Sequence, residues 1–273
     1  MKYRMFVTDY DDTFLRSDHT VLPETLKTIR EYEKKGGKFV IATGRMLSTI
    51  LKTVKPYGLK GEIIAFQGGV VADVNSGEIY AKKYVDKTAA AALLSDLQGR
   101  GCYIQVYNGG NYYVNRYTPR TERYALANSL EPVVVGEDIA GFVAERDLPL
   151  DKIVFGLDDY GLLTYAQIEP VIKEFQAKYG ELVFNSSNTL LIEAVSKGCT
   201  KGEAVAFVAA RNGIKREEVI CIGDSLNDAS MVSWAGLGVA VDNATHDLKE
   251  VADVITVSCD EDAVGKIIRE YCL

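Results

Sequence analysis

The sequence predicts an α/β protein with a parallel-sheet core and an inserted α+β domain, and two observations support this prediction. Near both ends of the 273-residue chain, short apolar runs alternate with helical segments, which is typical of βαβ units. Between these parts the alternation becomes irregular and includes a hairpin pattern. We therefore expect a core domain made of residues 1–83 and 190–273, and an inserted domain made of residues 84–189.

The first part of the chain supplies three strands of the predicted core. They are expected at residues 3–8, 38–42 and 62–66. Between them, one helix opens at Pro23, because proline suits the first helical position, and another stops at Pro56, because proline cannot continue a helix. The runs are largely apolar, as in strands buried on both faces of a sheet.

The middle of the chain is expected to leave this sheet. Residues 70–72 and 78–80 flank the turn Asn75-Ser76-Gly77 and predict a hairpin. Helices and strands then follow without regular βαβ order. We expect the chain to cross between the domains near Lys83–Tyr84 and near Asn188–Leu190, and these crossings are the predicted hinges of a cap that opens and closes.

The last part of the chain returns to the core pattern. A capping box from Thr200 to Glu203 predicts the start of a helix. An apolar run at 219–223 predicts a fourth parallel strand, and two further strands are expected at 237–241 and 254–256.

Composition and charge restrict the partners. Apolar residues at 47% and charged residues at 25% are ordinary globular values. The formal net charge of −7 argues against nucleic acid or an anionic membrane as the main partner. It leaves an anionic small molecule open, because a metal ion inverts the local field of an acidic cleft.

Cysteine and histidine usage restricts the metals and the compartment. The five cysteines are scattered without a CxxC pair, and the two histidines lie far apart in sequence. We therefore expect reduced thiols and no histidine-rich zinc or copper site. The N-terminal residues lack a signal-peptide pattern, and no apolar stretch has membrane-spanning length, so we expect a cytoplasmic protein.

Polar side chains follow three of the predicted parallel strands. Asp9, Thr43 and Asp224 each stand at the end of one of these predicted strands. The carboxyl ends of parallel strands form the ligand-binding edge of an open sheet. Lys201 lies at a predicted helix start, where anions are favoured. Because these features agree with one another, we expect one functional site at this edge.

The residue types predict metal-assisted phosphoryl transfer. Oxygen ligands, which suit Mg²⁺, come from Asp9, Asp11, Asp224 and Asp228. A metal, a lysine, a threonine hydroxyl and exposed N–H groups around one carboxylate fit a reaction that needs charge on phosphoryl oxygens to be stabilised. Asp9 is then the candidate nucleophile of an aspartyl-phosphate, and Asp11 is the candidate general acid and base.

Four motifs that contain these residues resemble those of the haloacid dehalogenase-like (HAD) phosphatases. In chain order they are Asp9-Tyr10-Asp11-Asp12-Thr13, Thr43-Gly44-Arg45, Lys201-Gly202 and Gly223-Asp224-Ser225-Leu226-Asn227-Asp228. Each motif is short, but their order and spacing match over essentially the whole chain. The insert resembles the α/β cap of subclass IIB, the Cof-type hydrolases. The resemblance therefore implies a Rossmann-like HAD core with an inserted cap.

The resemblance also implies a role for each matching residue. Asp9 resembles the nucleophile and a Mg²⁺ ligand. Asp11 resembles the general acid and base, which binds Mg²⁺ through its backbone carbonyl. The other implied roles are phosphoryl binding for Thr43 and Lys201, substrate binding for Gly44, Arg45 and Asn227, and metal binding for Asp224 and the outer-shell Asp228.

Some of these assignments keep alternatives. Lys197 also precedes a glycine, but the capping box favours Lys201, because it places that side chain at a helix N-terminus. Arg45 either pairs with a cap carboxylate or reaches the substrate. Asn227 either contacts phosphate or orients Lys201. Asp12 is interpreted as a turn residue that satisfies backbone N–H groups.

Three positions depart from the family pattern. Asp12 stands where glycine is usual, Gln67-Gly68-Gly69 where Asn-Gly-Ala is common, and Asp262-Ala263-Val264 where Asp-Gly-Val is frequent. The first departure is expected to change the turn after Asp11. The second is expected to alter a substrate contact at the cap hinge.

We therefore expect a Mg²⁺-dependent phosphatase that hydrolyses a small phosphorylated metabolite through an aspartyl-phosphate, with sugar phosphates as the leading class. Two alternatives stay open: a phosphosugar mutase of the same superfamily, and a non-catalytic phosphometabolite-binding protein. The presence of both Asp9 and Asp11 disfavours a pure binding protein, since binding has no need of two catalytic acids. The sequence does not indicate which oligomeric state the protein has.

Overall fold

The chain divides into two compact units in a computed structural model, which describes residues 2–128, 130–159, 163–186 and 191–273. The first unit comprises Met1–Arg45, Ile50–Lys82 and Thr200–Leu273. The second comprises Met46–Thr49 and Lys83–Cys199.

Strands and helices alternate along most of the chain. The strands are β1 (Met5–Thr8), β2 (Lys38–Ala42), β3 (Glu62–Ala65), β4 (Val70–Asp73), β5 (Ile79–Lys82), β6 (Tyr103–Asn108), β7 (Asn111–Val114), β8 (Val133–Val134), β9 (Lys152–Gly156), β10 (Leu182–Ser186), β11 (Ile192–Ser196), β12 (Val219–Gly223), β13 (Leu237–Ala240) and β14 (Val254–Ile255). The helices are α1 (Pro23–Lys34), α2 (Leu47–Val54), α3 (Lys87–Gly99), α4 (Pro119–Asn128), α5 (Ile139–Glu145), α6 (Tyr165–Lys178), α7 (Lys201–Arg211), α8 (Ala229–Trp234), α9 (His246–Val251) and α10 (Ala263–Tyr271).

The first unit is built on one sheet. Among the described residues it has eight strands in the order β14-β13-β12-β1-β2-β3-β4-β5. The strands from β14 to β3 are parallel, whereas β4 and β5 join antiparallel at the edge. The predicted parallel core is thus confirmed, and the predicted hairpin is β4 and β5.

The register of the central strands decides which residues meet at the sheet edge. Thr8 at the end of β1 lies opposite Ile41 on β2 and Ile222 on β12. The residues that follow these three strands therefore leave the sheet side by side. β1, β2 and β12 are buried almost throughout, as their continuous apolar runs predict for a sheet that is covered on both faces.

The second unit has a sheet of its own. Its described strands lie in the order β10-β11-β9-β6-β7-β8. One face packs against α3 and α6 through an apolar cluster that includes Leu93, Ile104, Phe155 and Phe175. This arrangement confirms a mixed α/β composition for the middle of the chain.

The opposite face of this second sheet is polar. On β6, Gln105 donates to Tyr103 Oη and Tyr107 donates to Gln105 Oε1, both at 2.6 Å. Lys152 Nζ on β9 lies 2.9 Å from Glu193 Oε1 on β11. Alternation along each strand puts these groups on one face and the apolar cluster on the other, and their mutual bonds satisfy polar atoms that are largely buried.

The second crossing between the units differs from the prediction, which ended the insert at residue 189. β11 pairs antiparallel with β10 and β9, so it belongs to the second sheet. The inserted segment begins between Lys82 and Lys83 and ends between Cys199 and Thr200, and the second unit also includes Met46–Thr49. The hinge predicted at Asn188–Leu190 lies outside the described residues.

Within the described parts of the chain, no helix has the length and apolar character needed to cross a membrane.

Candidate active site

Three side chains that follow neighbouring strands converge in the first unit. Asp9 follows β1, Thr43 follows β2 and Asp224 follows β12, and all three are buried. Asp9 N donates to Ile222 O at 2.9 Å and Thr43 N donates to Ile64 O at 2.8 Å, so the ladder continues one residue past each strand. Thr43 Oγ1 also accepts from Arg45 N at 3.2 Å. These hydrogen bonds fix Asp9 and Thr43 at the carboxyl edge of the sheet.

Lys201 is the first residue of α7 and reaches the same edge. Its Nζ lies 2.5 Å from Asp9 Oδ1 and 2.6 Å from Asp228 Oδ1, and its side chain is fully buried. Thr200 caps the helix by accepting from Glu203 N at 3.2 Å, as the capping box predicts. Lys197, the alternative, is exposed and belongs to the second unit, so Lys201 is the lysine of this cluster.

Asp228 is a fully buried carboxylate that uses both of its oxygens. Its Oδ2 accepts from the backbone N–H groups of Asp224 at 3.0 Å and Ser225 at 3.1 Å. Its Oδ1 faces Lys201. Gly223 makes room for this side chain, since a Cβ at Gly223 would collide with it. Asp228 therefore fixes the loop after β12 and orients Lys201, which suits an outer-shell position better than a direct metal ligand.

Asp224 is held by a residue that the sequence analysis did not single out. Thr13 Oγ1 donates to Asp224 Oδ1 at 3.1 Å, and Thr245 N donates to the Asp224 carbonyl at 2.8 Å. Thr13 closes the motif that begins at Asp9. Its hydroxyl therefore ties the first motif of the chain to the last one.

Burial and like charge dominate the electrostatics of this cluster. Burial raises the pKa of Asp9 well above its usual range, the charge of Asp228 raises it further, and Lys201 opposes both. Burial and the charge of Asp228 raise the pKa of Asp224 to about 7. Burial alone would lower the pKa of Lys201, but the charges of Asp228 and Asp9 outweigh it and raise that pKa. Lys201 therefore stays protonated, and its single positive charge does not balance the negative charges of the surrounding carboxylates.

The carboxylates of this cluster fit a divalent cation. Asp9, Asp224 and Asp228 each present an oxygen, and these oxygens all lie within 4.8 Å of one another. Carboxylate oxygens are the ligands that hard cations prefer. A divalent ion would also relieve the repulsion that raises the pKa of Asp9 and Asp224.

Asp11 lies in the same turn as Asp9, but its carboxylate binds a different partner. Arg45 donates from Nε to Asp11 Oδ2 at 2.9 Å and from Nη2 to Asp11 Oδ1 at 2.5 Å. The guanidinium carbon also lies 5.0 Å from the centre of the Tyr10 ring. The sequence left two partners open for Arg45, a cap carboxylate or the substrate. The structure instead shows the planar fork of Arg45 matched to Asp11.

Gln67 is a site residue that the sequence analysis noted only as a departure from the family pattern. It follows β3, and its Oε1 accepts from Asn227 Nδ2 at 3.2 Å. Its amide also lies against Gly44, where a Cβ would leave it no room. Ser225 Oγ donates to Asn227 Oδ1 at 2.5 Å. Two predicted substrate-binding residues, Gly44 and Asn227, are thus connected through Gln67.

Asp12 adopts the backbone conformation of a tight turn. Its φ is +53°, in the left-handed region that favours glycine, which explains the usual family residue at this position. The Asp12 carbonyl accepts from Asn243 Nδ2 at 2.8 Å. Asp12 is outside the group of clustered carboxylates, in agreement with its interpretation as a turn residue.

Comparisons with known proteins agree with this geometry. A family model described as haloacid dehalogenase-like hydrolase matches residues 6–268. The phosphatase YwpJ of Bacillus subtilis is 29% identical over 293 aligned positions, which cover 97% of this chain and 99% of the relative. The 5-amino-6-(5-phospho-D-ribitylamino)uracil phosphatase YcsE of Bacillus subtilis is 30% identical over 270 positions, which cover 99% and 96%.

Solved structures share the fold over nearly the whole chain. A haloacid dehalogenase-like hydrolase from Bacteroides thetaiotaomicron has a TM-score of 0.82 at 25% identity and covers 98% of this chain and 99% of its own. The HAD subclass IIB sugar phosphatase BT4131 has a TM-score of 0.84 at 22% identity and covers 98% of both chains.

The fold, the acidic cluster and the phosphatase relatives together define a hydrolase of phosphoric monoesters. The chain belongs to the haloacid dehalogenase-like hydrolases. The superfamily, the Cof-type resemblance and the enzyme class that the sequence predicts are thereby confirmed.

Proposed function

We propose that the protein is a Mg²⁺-dependent phosphatase that hydrolyses small phosphomonoesters, with sugar phosphates as the leading class, through an aspartyl-phosphate on Asp9. The contact that supports this best is the 2.5 Å approach of the Lys201 ammonium to Asp9 Oδ1, beside Asp224 and Asp228. Buried carboxylates that repel one another raise the free energy of the folded protein. Such an arrangement is typical of a functional site.

Mg²⁺ is the proposed cofactor. Asp9 and Asp224 would hold it through carboxylate oxygens, Asp11 through its backbone carbonyl and Asp228 through water. When bound, the ion neutralises charge on the phosphoryl oxygens and lets an anion enter an acidic cleft. The hard-oxygen donors of this cluster support Mg²⁺ over softer metals.

The protein side chains are proposed to act in two steps. In the first, a carboxylate oxygen of Asp9 attacks phosphorus, and the bond to the leaving oxygen breaks as Asp11 protonates that oxygen. In the second, Asp11 takes a proton from water, the water oxygen attacks phosphorus, and inorganic phosphate leaves the restored Asp9. The Lys201 ammonium and the Thr43 hydroxyl bind the phosphoryl oxygens in both steps.

Asp11 needs a free position on its carboxyl group to act as an acid. Arg45 bonds one position on each Asp11 oxygen, and a carboxylate offers about four such positions. The pair therefore leaves room for the proton that Asp11 transfers. The Asp11 side chain is 44% exposed, and exposed pairs are held by only about 0–1 kcal/mol, so release of Arg45 is also inexpensive.

Two relatives support the substrate class. YcsE is named for a phosphorylated ribitylamino compound, and BT4131 is named a sugar phosphatase. Both names describe a phosphate ester on a polyhydroxylated carbon chain. We extend this class to the present chain.

The test is release of inorganic phosphate from a panel of sugar, polyol and nucleotide phosphates. We expect turnover with Mg²⁺, none with a chelator, and a loss of about 10³-fold for Asp9→Asn, the scale seen when a key catalytic group is removed. Asp18→Asn, at an exposed aspartate, is the matched control and should keep wild-type rates. Full turnover in Asp9→Asn would refute the mechanism.

The same panel separates the alternatives. A mutase would require a bisphosphorylated sugar as activator and would retain phosphate in its product. A binding protein would bind phosphosugars without releasing phosphate from any of them.

A further inference from the structure

A strained turn follows β3 at the centre of the site. Phe66, Gln67 and Gly68 have φ values of +51°, +58° and +106°, so two residues with side chains occupy the left-handed region in succession. Residues with side chains rarely adopt this region, and strain of this kind persists where the surroundings hold it in place. The contacts of this turn show what holds it.

The loop after β2 forms hydrogen bonds with the turn on one side. Phe66 N donates to Arg45 O at 3.0 Å, and Gln67 N donates to Thr43 O at 3.1 Å. The Gln67 amide lies over Gly44, closer to an ideal Cβ there than real Cβ atoms approach any neighbour. A side chain at position 44 would therefore displace the Gln67 amide from this loop.

The other two site segments touch the turn as well. Gln67 Oε1 accepts from Asn227 Nδ2 at 3.2 Å, which connects the turn to the loop after β12. A Cβ on Gly68 would collide with the Thr200 carbonyl, so the turn lies directly against the residue that caps α7 and precedes Lys201. Gln67 itself is 6% exposed. The turn thus contacts the three segments that carry Thr43, Asn227 and Lys201.

We propose that Gln67 is a positioning residue that sets Asn227 and the Thr43 loop relative to Lys201, so that the phosphoryl-binding groups face one point. This inference rests on the proposed phosphatase function. Gln67 acts through Asn227 and the backbone of the Thr43 loop and takes no part in bond making. Misplacing a reacting or binding group by about 1 Å can cost about 10²-fold in rate, which makes such a residue measurable.

The test is a double-mutant cycle with p-nitrophenyl phosphate and Mg²⁺. Gln67→Ala and Asn227→Ala are each expected to lower kcat by about 10- to 100-fold. Because Gln67 acts through both Asn227 and the Thr43 loop, the loss in the double variant should fall well short of the product of the two single losses. Rate losses that multiply fully would show that Gln67 and Asn227 act independently and would overturn the proposal.

Gln67→Asn separates positioning from stability. Asparagine accepts the left-handed region more readily than glutamine, so its Tm should match or exceed that of the wild type. Its side chain is one methylene shorter and cannot keep the bond to Asn227, so kcat should still fall about tenfold or more. Wild-type kcat in a stable Gln67→Asn protein would overturn the proposal.

Asn212→Ala is the matched control for loss of a hydrogen-bonded, partly buried amide. Asn212 Nδ2 donates to Glu62 Oε1 at 2.9 Å and to Val208 O at 2.8 Å. It lies at the opposite end of α7 from Lys201, about 16 Å along the axis at 1.5 Å per residue. Its loss should lower Tm and leave kcat and KM unchanged. A kcat loss equal to that of Gln67→Ala would reduce the Gln67 effect to general destabilisation and overturn the proposal.

Binding of inorganic phosphate in the presence of Mg²⁺, measured by calorimetry, keeps this inference distinct from the proposed function. If the wild type binds phosphate but hydrolyses no ester, the phosphatase proposal fails. The double-mutant cycle of Gln67 and Asn227 is then measured through the Kd for phosphate. We then expect Gln67→Ala and Asn227→Ala to weaken phosphate binding non-additively. Unchanged Kd values in both would overturn the positioning role by itself.

Discussion

Replacing Lys201 by methionine removes the cation of the buried cluster and keeps a long unbranched side chain in its place. Lys201 is bonded to Asp9 and Asp228, and its side chain is wholly buried. Without the ammonium, those carboxylates face each other with no opposite charge. Removing one partner of a buried ion pair costs about 3–5 kcal/mol, because the other partner stays buried and uncompensated.

The size of the effect follows from this loss. Each kcal/mol lowers Tm by about 2–4 °C in a domain of this size range, so we expect Lys201→Met to unfold about 6–20 °C below the wild type in chelator. A ligand at 100 times its Kd adds about 2.7 kcal/mol, so Mg²⁺ should restore part of the loss. Because the carboxylates of the variant lack the Lys201 charge, they should bind Mg²⁺ more tightly than those of the wild type. The rise in Tm on adding Mg²⁺ should therefore be larger in the variant. Turnover should still fall by about 10²–10³-fold, because the donor to the phosphoryl oxygens is gone.

The assay is thermal unfolding with chelator and with Mg²⁺, together with phosphate release. Lys197→Met, at an exposed lysine, is the control and should show neither change. A Lys201→Met protein with wild-type Tm in chelator would refute the inferred charge balance. One with wild-type turnover would refute the role of Lys201 in phosphoryl binding.

Three further predictions concern packing, the Asp11 pair and pH. Gly68→Ala should lower the free energy of unfolding in urea by about 1–3 kcal/mol more than Gly36→Ala does. Both positions have positive φ, but a Cβ at Gly68 would meet a backbone carbonyl, whereas nothing lies within 4 Å of a Cβ at Gly36. Equal losses would contradict the steric argument. Asp11→Asn should lower kcat by about 10²–10⁴-fold. Arg45→Ala should lower kcat by less than about tenfold, because the Arg45–Asp11 pair is partly exposed. Equal losses in kcat would show that Arg45 takes part in the chemistry. Partial burial would raise the pKa of Asp96, but hydrogen bonds from a lysine, an arginine and a tyrosine outweigh it and lower that pKa from 3.8 to about 2. The stabilisation is therefore present above about pH 4 and lost as pH falls through about 2. Asp96→Asn should lose about 1 kcal/mol at neutral pH, and this difference in the free energy of unfolding should shrink steadily below about pH 4. A difference at pH 2 as large as that at neutral pH would contradict this assignment.

The central sheet and the acidic cluster at its edge were predictable because buried parallel strands can be recognised in a sequence. Strands covered on both faces must be apolar throughout, so β1, β2 and β12 stand out as runs, and the first polar residue after each run marks the carboxyl edge. Lys201 was predictable through the capping box that begins its helix. These features are local, and each can be recognised within a few residues.

The features that the sequence analysis missed depend on contacts between distant residues. β11 is a short strand interrupted by Glu193, and its assignment to the second sheet depends on pairing with β9 and β10. Thr13 and Asp224 are 211 positions apart in the chain. The direction of a side chain, such as that of Arg45 towards Asp11, is set by packing that no local pattern records.

The three acids of the first motif have different surroundings, and this difference shows why the cluster favours a bound cation. Asp12 occupies a left-handed turn, Asp11 is neutralised by Arg45, and Asp9 shares Lys201 with Asp228. Asp9, Asp228 and Asp224 together carry up to three negative charges against one ammonium, which leaves an excess of two. A divalent cation removes this excess, whereas a monovalent ion would leave half of it. Charge balance therefore favours a divalent metal independently of the preference of its oxygen ligands.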